Sequence, residues 1–325
     1  MPKIITIVGA TGVQGGSVVR ALLDNPKYTI RAVTRNVKSD AAQALVNRGV
    51  EVVEADLHDV DSLRVAFAGS HAIFAVTNFF DALPAVGVER AMEIETLLGA
   101  NLADAAAATE SLAHYVWSTL PNSRRNTGGE IVVPYYESKN RVDDYVKENH
   151  PQLLQKTTFF WAGWYAGNIN YPWFKPIAVP SADGGDGPGP HIQLLGVSPS
   201  TIIPIAGDEK TNVGLFVRAI LDHPEKTLPA QTVAGVVKQA TYSEVAQVYD
   251  AARGTQVRCV QIPKDDYRGL WPVWGELMDV TNSHFEVMGR KAFDTADDVV
   301  LTKEDLEVEG LVGTAEAFVA KKHRV

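Results

Sequence analysis

A glycine-rich turn at residues 9–15 is the feature that most constrains the fold. The apolar run Lys3–Val8, typical of a strand buried on both faces, leads directly into Gly9-Ala-Thr-Gly12-Val-Gln-Gly15, and residues 17–23 have the apolar spacing of a helix. This order predicts a dinucleotide site, because glycines let the backbone approach a pyrophosphate at the positive end of a helix. The residues expected to contact the cofactor here are Gly9, Thr11, Gly12, Val13, Gln14 and Gly15.

Strands and helices alternate along the first half of the chain. Strands are predicted at 29–34, 50–53, 71–76, 114–117 and 157–160, and helices at 60–67, 87–109 and 135–148. The alternation predicts an α/β fold, a Rossmann doubly wound parallel sheet, whose ligands bind beyond the carboxyl ends of the strands. We expect residues 1–160 to form this domain and residues 161–325 to form a smaller C-terminal α/β lobe, with interleaved segments.

Two four-residue patterns in the second half are typical of helix starts. Thr241-Tyr-Ser-Glu244 is a capping box that predicts a helix to about residue 252, and Thr302-Lys-Glu-Asp305 predicts a second, short helix. The segment 181–190 is rich in glycine and proline. It is either a plain hairpin connection or a lid over the ligand site.

Composition and charge exclude several classes of protein. The 325 residues are 46% apolar and carry a net charge of −9, which argues against a sequence-independent grip on nucleic acid or anionic lipid. The single cysteine excludes an internal disulfide, and no apolar run of membrane-spanning length occurs. No histidine has the spacing of a metal site. We therefore expect a cytoplasmic protein with no metal, no membrane segment and no nucleic-acid partner.

The end of the second strand indicates which dinucleotide is bound. An acid at this position binds the ribose of NAD, whereas Arg35, with Lys38 beyond it, suits the 2′-phosphate of NADP. The alternative is an arginine that is merely exposed at a strand end. The expected cofactor contacts along this edge of the sheet are Arg35, Asn36, Lys38, Asp56, Leu57, Thr77 and Asn78.

The segment Tyr135-Tyr-Glu-Ser-Lys139 places a phenol and an ammonium one helical turn apart. A neighbouring lysine charge and a nicotinamide lower the pKa of a phenol and suit it to acid–base work. We expect Lys139 to hold the nicotinamide ribose and Tyr135 to donate a proton. Alternatively, Tyr135 packs as an ordinary aromatic at the start of a helix.

Aromatic residues are concentrated where the sixth strand ends. Residues 159–174 contain eight of the chain's 27 Phe, Trp and Tyr residues. Because small-ligand pockets are mostly apolar, this cluster predicts a flat or aromatic substrate, and an interdomain core is the alternative. The residues expected to contact the substrate are Phe79, Trp164 and Tyr165.

Together these residues resemble the NmrA-like family, a branch of the atypical short-chain dehydrogenases/reductases, along nearly the whole chain. The marks are Gly9-Ala-Thr-Gly12-Val-Gln-Gly15, Thr34-Arg35-Asn36, Glu54-Ala-Asp56, Val76-Thr77-Asn78, Trp117-Ser118-Thr-Leu-Pro121, Lys139 and Gly207-Asp208. The resemblance implies an NADP(H)-binding Rossmann domain whose nicotinamide end is covered by the smaller lobe. It also implies cofactor contacts by Trp161 and Asn168.

Three positions depart from the family pattern. Tyr135 stands where many members carry other residues, often His, which is closer to the enzymatic short-chain pattern. Leu120 stands where extended short-chain reductases place a catalytic Ser or Thr, so Ser118 is our candidate for that role and Thr119 the alternative. Ala100 replaces the lysine of the family's Gln-Gly-Lys-Asn segment.

Three functions are compatible with the sequence. The first is an NADPH-dependent reductase of a small carbonyl, imine or enone, of aromatic or secondary-metabolite character. The second, also implied by the family resemblance, is an NADP(H)-sensing protein that acts through a protein partner without turnover. The third is a non-redox enzyme that keeps the dinucleotide as a structural element.

Overall fold

A parallel β-sheet with helices on both faces organises the structure, a computed structural model that describes residues 2–180, 189–295 and 299–322. Within these ranges the strands are β1 (Lys3–Ile7), β2 (Tyr28–Thr34), β3 (Glu51–Glu54), β4 (Ala72–Ala75), β5 (His114–Thr119), β6 (Thr157–Ala162), β7 (Trp164–Tyr165), β8 (Ile177–Ala178), β9 (Pro190–Leu195), β10 (Ile202–Gly207), β11 (Thr232–Gly235), β12 (Lys238–Thr241), β13 (Gln256–Gln261) and β14 (Val300–Leu301).

The helices of the same ranges lie between and after these strands. They are α1 (Val13–Leu22), α2 (Asp40–Val46), α3 (Val60–Phe67), α4 (Phe79–Ala107), α5 (Ser123–Asn126), α6 (Pro134–Asn149), α7 (Pro151–Leu154), α8 (Glu209–Asp222), α9 (Pro224–Thr227), α10 (Tyr242–Arg253), α11 (Lys264–Leu270), α12 (Trp274–Met288) and α13 (Thr314–Lys322). Short 3-10 helices occupy Ala166–Asn170 and Gly289–Lys291.

In the part of the chain that the structure describes, eight strands form one sheet in the order β14-β11-β6-β5-β4-β1-β2-β3. Neighbouring strands are parallel, and the chain winds outward from β1 in both directions. Every residue of β4, β5 and β6 is buried, as expected for strands covered by helices on both faces. The predicted Rossmann doubly wound α/β fold is confirmed.

The second half of the chain contributes to this large sheet and also forms two smaller ones. Strand β11 pairs with β6, and β14 pairs with β11, so two strands beyond residue 160 extend the large sheet. The other two sheets have the orders β12-β10-β7 and β13-β9-β8. The division into residues 1–160 and 161–325 stays a prediction, and the chain crosses it at β11 and β14.

Close packing of α1 against α8 joins the two halves beside the glycine turn. A Cβ on Gly214 would lie 2.1 Å from the carbonyl oxygen of Ser17, so only glycine permits this approach. The amide of Gly214 donates to the Ser17 hydroxyl at 2.8 Å. The contact fixes α1, and therefore the turn that precedes it, against the second half of the chain.

Helix α4 begins eight residues before its predicted start. Asn78 caps it by accepting a hydrogen bond from the amide of Phe80, and Gly87, with φ of 76°, kinks it after Pro84. The first turns were not predicted, because Pro84 and Gly87 are unfavourable in a helix and suggest that it starts later. The early start places Phe79 and Phe80 directly at the carboxyl end of β4.

The two predicted helix starts of the second half have different outcomes. At Thr241 both reciprocal bonds of the capping box with Glu244 form, and α10 follows. At Thr302 the amide and hydroxyl donate to Asp305, but residues 303–307 form turns and Glu307 has φ of 50°. The predicted short helix there is wrong, because the chain leaves helical geometry within one turn. Of the segment 181–190, predicted as a hairpin connection or a lid, residues 181–188 lie outside the described residues.

Candidate functional site

The glycine turn lies at the carboxyl end of β1, where the sheet opens to solvent. Gly9 has φ of 65°, and its carbonyl accepts a 2.8 Å hydrogen bond from the amide of Gly12. A Cβ on Gly15 would lie 2.3 Å from the Gly9 oxygen, so this glycine permits α1 to pack on the turn. Among the predicted contacts, Gly9, Thr11, Gly12 and Val13 are exposed, Gln14 is half-buried and Gly15 is buried.

The N-terminus of α1 places backbone amides without intrahelical acceptors at this edge of the sheet. Gly12 is its N-cap and supplies no side-chain acceptor, and no acid occurs in the first turn. The first amides of a helix without such a cap have no intrahelical partner and form a ready anion site. The turn therefore has the geometry and charge that a pyrophosphate requires.

Arg35 follows β2 at the same edge and is 77% exposed. Its guanidinium lies 3.9 Å from the carboxylate of Asp81 on α4, a residue that the sequence argument did not single out. Asn36 and Lys38 extend the loop, in which the Thr34 hydroxyl accepts from the Asn36 amide and the Asn36 side chain accepts from the Lys38 amide. These bonds fix the loop and leave the Arg35 and Lys38 side chains directed to solvent.

The end of β3 places Asp56 and Leu57 next along the edge. The Asp56 carboxylate accepts a 3.0 Å bond from the amide of His58, and the side chain is exposed. The carbonyl of Leu57 accepts from Asn101 on α4 at 2.8 Å, which ties this loop to the helix. Asn101 belongs to the segment in which Ala100 replaces the family's lysine.

At the carboxyl end of β4, Lys139 of α6 meets Thr77 in a buried network. The Lys139 ammonium donates to the Thr77 hydroxyl at 2.9 Å and to its carbonyl at 3.2 Å, and it pairs with Glu95 of α4 at 2.9 Å. Lys139 is 8% exposed and Glu95 only 1% exposed. Lys139 and Thr77 are predicted site residues, whereas Glu95 was not predicted from the sequence. Asn78, beside them, caps α4 and donates to Asp81 at 2.6 Å.

The end of β5 carries Ser118, Thr119 and Leu120. The hydroxyl of buried Ser118 donates to the side chain of Gln14 at 2.7 Å, which links this strand to the glycine turn. Thr119 instead donates to Asp143 of α6 at 2.9 Å. Leu120 is half-buried and packs against the core of the second half. Ser118 is therefore held by the predicted cofactor loop rather than left free for a substrate carbonyl.

Asp143 is a buried acid one helical turn beyond Lys139. It accepts bonds from Trp117 Nε1 at 2.8 Å and from the Thr119 hydroxyl. Burial raises the pKa of its carboxyl to about 6, although these hydrogen bonds and the charge of Lys147 favour the ionised form. The Lys139 ammonium lies 5.4 Å from the centre of the Trp117 ring, so the same tryptophan contacts both the acid and the cation.

Tyr135 is on the same helix as Lys139 but its hydroxyl has a different partner. It lies 3.1 Å from the hydroxyl of Thr281 on α12. Burial raises the pKa of Tyr135 to about 12, the direction opposite to the one expected from a lysine neighbour and a nicotinamide. The ring packs against Phe79 and Phe80, at centroid distances of 6.1 and 5.2 Å. The expectation of a lowered pKa is therefore wrong for the chain by itself.

The aromatic cluster after β6 is largely buried and continues into a ladder of rings. Trp161 and Trp164 are buried, Tyr165 and Asn168 are half-buried, and burial raises the pKa of Tyr165 although Gln14 hydrogen-bonds its hydroxyl. Stacked rings run from Tyr171 through Trp173 and Trp274 to Phe80, and Tyr135 is tilted against Phe80. The ladder joins the exposed surface of the second half to the carboxyl end of β4.

The predicted residues thus lie at one edge of the sheet, but some of them are exposed and others are buried. The turn and the Arg35 loop are open, whereas Thr77, Ser118 and Lys139 are buried and already hydrogen-bonded. Two surface concavities, of about 610 and 650 Å³, lie elsewhere, between α3 and α4 and between α1 and α8. The candidate site is the edge rather than either concavity, because the residues that line the concavities include none of the predicted groups.

No helix in the described ranges is both long and apolar enough to span a bilayer. Over the same ranges, no three His, Cys, Asp or Glu side chains gather in a way that could hold a metal ion.

The fold and this edge define a Rossmann-like α/β protein. The chain belongs to the NmrA-like family, whose sequence profile matches residues 1–314. It is 31% identical over 279 residues to the NmrA-like family domain-containing oxidoreductase cpsB of Aspergillus campestris, an alignment that covers 82% of this chain and 77% of that protein. With the oxidoreductase hkm9 of Aspergillus hancockii it shares 39% identity over 175 residues, which is 54% of this chain and 50% of that protein.

Solved structures share the fold at lower identity. The negative transcriptional regulator NmrA in complex with NADP superposes with a TM-score of 0.74 at 22% identity, covering 98% of this chain and 94% of that one. The Citrobacter sp. triphenylmethane reductase complexed with NADP(H) superposes with a TM-score of 0.65 at 16% identity, covering 98% and 99%. At these identities the likeness confirms the fold.

Proposed function

We propose that this protein is an NADP(H)-dependent reductase of a small organic carbonyl, imine or enone, of aromatic or secondary-metabolite character. The observation that carries the proposal is that the open glycine turn, exposed Arg35 and the buried Lys139 lie along one edge of the sheet. Relatives named as NmrA-like oxidoreductases, and fold neighbours solved in complex with NADP or NADP(H), support it.

The residues of the edge fit this cofactor. A Cβ on Gly12 would lie 3.2 Å from the Gly9 carbonyl oxygen, so a side chain there would crowd the turn that is proposed to receive the phosphate. The uncapped amides of α1 would hold the pyrophosphate, Arg35 the 2′-phosphate and Lys139 the nicotinamide ribose. Lys38, whose side chain is exposed beside Arg35, adds a second positive charge near the 2′-phosphate.

When bound, the cofactor supplies hydride to the substrate. The chain orients the reaction: Lys139 holds the ribose end, and Tyr135 donates a proton from its hydroxyl. With a pKa of about 12, Tyr135 is protonated at neutral pH and is an acid rather than a base. Phe79, Trp164 and Tyr165 exclude water from the reacting end, because Phe79 and Trp164 are buried and Tyr165 is half-buried.

A second candidate function is an NADP(H)-sensing protein without turnover. Two observations favour it: the Tyr135 hydroxyl is bonded to Thr281, and Leu120 supplies no hydroxyl to a substrate carbonyl. The fold neighbour NmrA, a negative transcriptional regulator solved in complex with NADP, has a regulatory rather than an enzymatic name. A sensor binds NADP(H) as a reductase does, but changes its affinity for a protein partner with the cofactor's redox state.

The test separates binding from turnover. Titration of NADPH and NADH against tryptophan fluorescence should give tight NADPH binding, weakened in Arg35→Ala and unchanged in Arg64→Ala, an exposed arginine on α3 paired with Asp61. NADPH absorbance is then followed with a panel of aromatic ketones, imines and quinones. Oxidation by a panel member supports the reductase. Tight binding with no oxidation across the panel favours the sensor, and no binding of either nucleotide contradicts both.

A further inference from the structure

The carboxylate of Glu95 is buried beside Lys139. It lies on the inward stripe of α4 with Ala91, Gly99 and Leu102, which are small or apolar. One of its oxygens accepts from Lys139 at 2.9 Å and from the Thr77 hydroxyl at 2.8 Å, and the other accepts from the hydroxyl of Ser138. An ionised carboxylate at such a position is costly to bury unless it is paired and hydrogen-bonded, and Glu95 is both.

The contacts of the ammonium are equally specific. Lys139 has three N–H donors, and three acceptors face it: the Thr77 hydroxyl, the Thr77 carbonyl and the Glu95 carboxylate. All three lie at the carboxyl end of β4 or on the helix that follows it. Tyr135 does not share in this arrangement, since its hydroxyl bonds to Thr281.

A buried pair of this kind adds little stability by comparison with apolar side chains of the same size. Its geometry, in contrast, is well determined, because both carboxylate oxygens and the ammonium are fully engaged. The arrangement therefore holds the Lys139 ammonium in one position, and it adds little to the stability of the core.

We propose that Glu95 is a positioning residue, which holds the Lys139 ammonium at the carboxyl end of β4, where the nicotinamide ribose binds. A ribose hydroxyl takes the N–H that otherwise donates to the Thr77 carbonyl, the longest of the three contacts at 3.2 Å. The part that concerns the ribose rests on the proposed function. The part that concerns Lys139 depends only on groups of the chain. Thr77 and Ser138 orient the carboxylate, and Glu95 acts on the cofactor only through Lys139.

The first experiment measures the dissociation constant for NADPH in Glu95→Gln, Glu95→Asp and the control Glu93→Gln. Glu93 is two residues away on the same helix, exposed and paired with Arg90. Glu95→Gln, which removes the charge, should weaken binding about ten-fold, the effect of losing one charge-assisted contact. Glu95→Asp, which keeps the charge, should retain more of the affinity, and Glu93→Gln should bind as the unaltered chain does.

A double-mutant cycle with Lys139→Met distinguishes positioning from a general structural effect. If Glu95 acts through Lys139, Glu95→Gln should have no further effect on NADPH binding once Lys139 is Met. A structural effect of Glu95 would weaken binding in both backgrounds by the same factor. The double variant also removes both buried charges together, so it provides a folded protein if Glu95→Gln alone does not fold.

A third measurement needs no cofactor. The rate at which an amine-selective reagent labels Lys139, read by mass spectrometry, should rise several-fold in Glu95→Gln and stay unchanged in Glu93→Gln, because an unpaired ammonium leaves its acceptors more often. Unchanged labelling together with unchanged NADPH affinity in Glu95→Gln would overturn the inference and leave the reductase proposal intact. If the unaltered chain binds no NADPH, the proposed function fails, and labelling still decides whether Glu95 positions Lys139.

Discussion

Tyr135 and Lys139 lie one turn apart on α6, yet their polar ends engage opposite neighbours. The phenol meets Thr281 of α12 at 3.1 Å, whereas the ammonium pairs with Glu95 of α4 at 2.9 Å. The Thr281 hydroxyl donates to the carbonyl of Leu277, so Tyr135 is the donor to Thr281. One helix therefore joins the second half of the chain, through its tyrosine, to the central sheet, through its lysine.

The Tyr135–Thr281 bond predicts a pairwise coupling. Tyr135→Phe and Thr281→Val should each lower the free energy of unfolding by about 1 kcal/mol, and the double variant should lose less than the sum, because both changes remove the same hydrogen bond. Thr281→Ser, which keeps the hydroxyl, is the matched control. Urea denaturation of the unaltered chain, the two single variants and the double variant measures the coupling, and the same measurement on Thr281→Ser provides the control. Strictly additive losses would show that the bond contributes nothing.

The same tyrosine predicts a pH profile for the proposed reductase. With a pKa of about 12 against a free-phenol value of 10, Tyr135 stays protonated up to the alkaline range. If it is the proton donor, turnover should show no fall due to this group between neutral pH and pH 10, and Tyr135→Phe should lower turnover by about a hundred-fold. The test is the rate of NADPH oxidation against pH in both proteins. Full turnover by Tyr135→Phe would assign the proton to another donor.

Arg35 and Asp81 predict opposite effects on the choice of nucleotide. Arg35→Ala should weaken NADPH binding by about ten-fold and leave NADH binding unchanged, because only NADPH has the 2′-phosphate. Asp81→Asn removes a carboxylate 3.9 Å from the guanidinium and should strengthen NADPH binding. The gain should be only about two-fold, because water screens interactions between exposed charges. Asp61→Asn, an exposed acid that pairs with Arg64, is the control. Equal losses for both nucleotides in Arg35→Ala would place Arg35 away from the 2′-phosphate.

The sequence predicted the sheet and its open edge because both depend on local patterns. Apolar β-branched runs, the glycine spacing at 9–15 and the strand–helix alternation each have a short-range physical cause. Gly15 is an example, since the need for glycine comes from contact with Gly9 and Ala10, a few residues earlier.

The partners of the buried groups could not be predicted in the same way. Glu95, Asp81 and Thr281 meet their partners across 44, 46 and 146 positions of sequence, so no local pattern links them. One signal for Glu95 was available: it is an acid on the inward, otherwise apolar stripe of α4, and a buried acid requires a partner. The Tyr-x-x-x-Lys spacing predicted that Tyr135 and Lys139 lie one turn apart on a helix, as they do. Which residue the Tyr135 hydroxyl contacts depends on the fold, because Thr281 is distant in sequence.

Asp143 predicts a pH dependence of stability. Its folded pKa, about 6, is above the ordinary aspartate value of 3.8, so folding favours the protonated acid. The resulting stabilisation is fully present below the unfolded value and is lost as pH rises through about 6, by about 3 kcal/mol in total. Between pH 3.8 and about pH 6, the unfolding free energy of Asp143→Asn should therefore change less than that of the unaltered chain. Asp144→Asn, the adjacent and exposed acid, should behave as the unaltered chain does, and an unchanged slope in Asp143→Asn would refute the assignment.

Gly15 predicts the steric limit of the turn independently of any cofactor. In Gly15→Ala the new Cβ would lie 2.3 Å from the Gly9 oxygen and 2.8 Å from the Ala10 nitrogen, and both are backbone atoms that cannot rotate away. We expect a loss of about 3 kcal/mol in unfolding free energy, at the upper end of overpacking effects. Gly269→Ala is the matched control, because nothing lies within 4 Å of its Cβ position and the residue is in helix α11. It should be neutral or stabilising by up to about 1 kcal/mol, since alanine favours a helix over glycine. Urea denaturation of both variants checks the prediction, and a Gly15→Ala protein as stable as Gly269→Ala would mean that α1 does not pack on the turn as described.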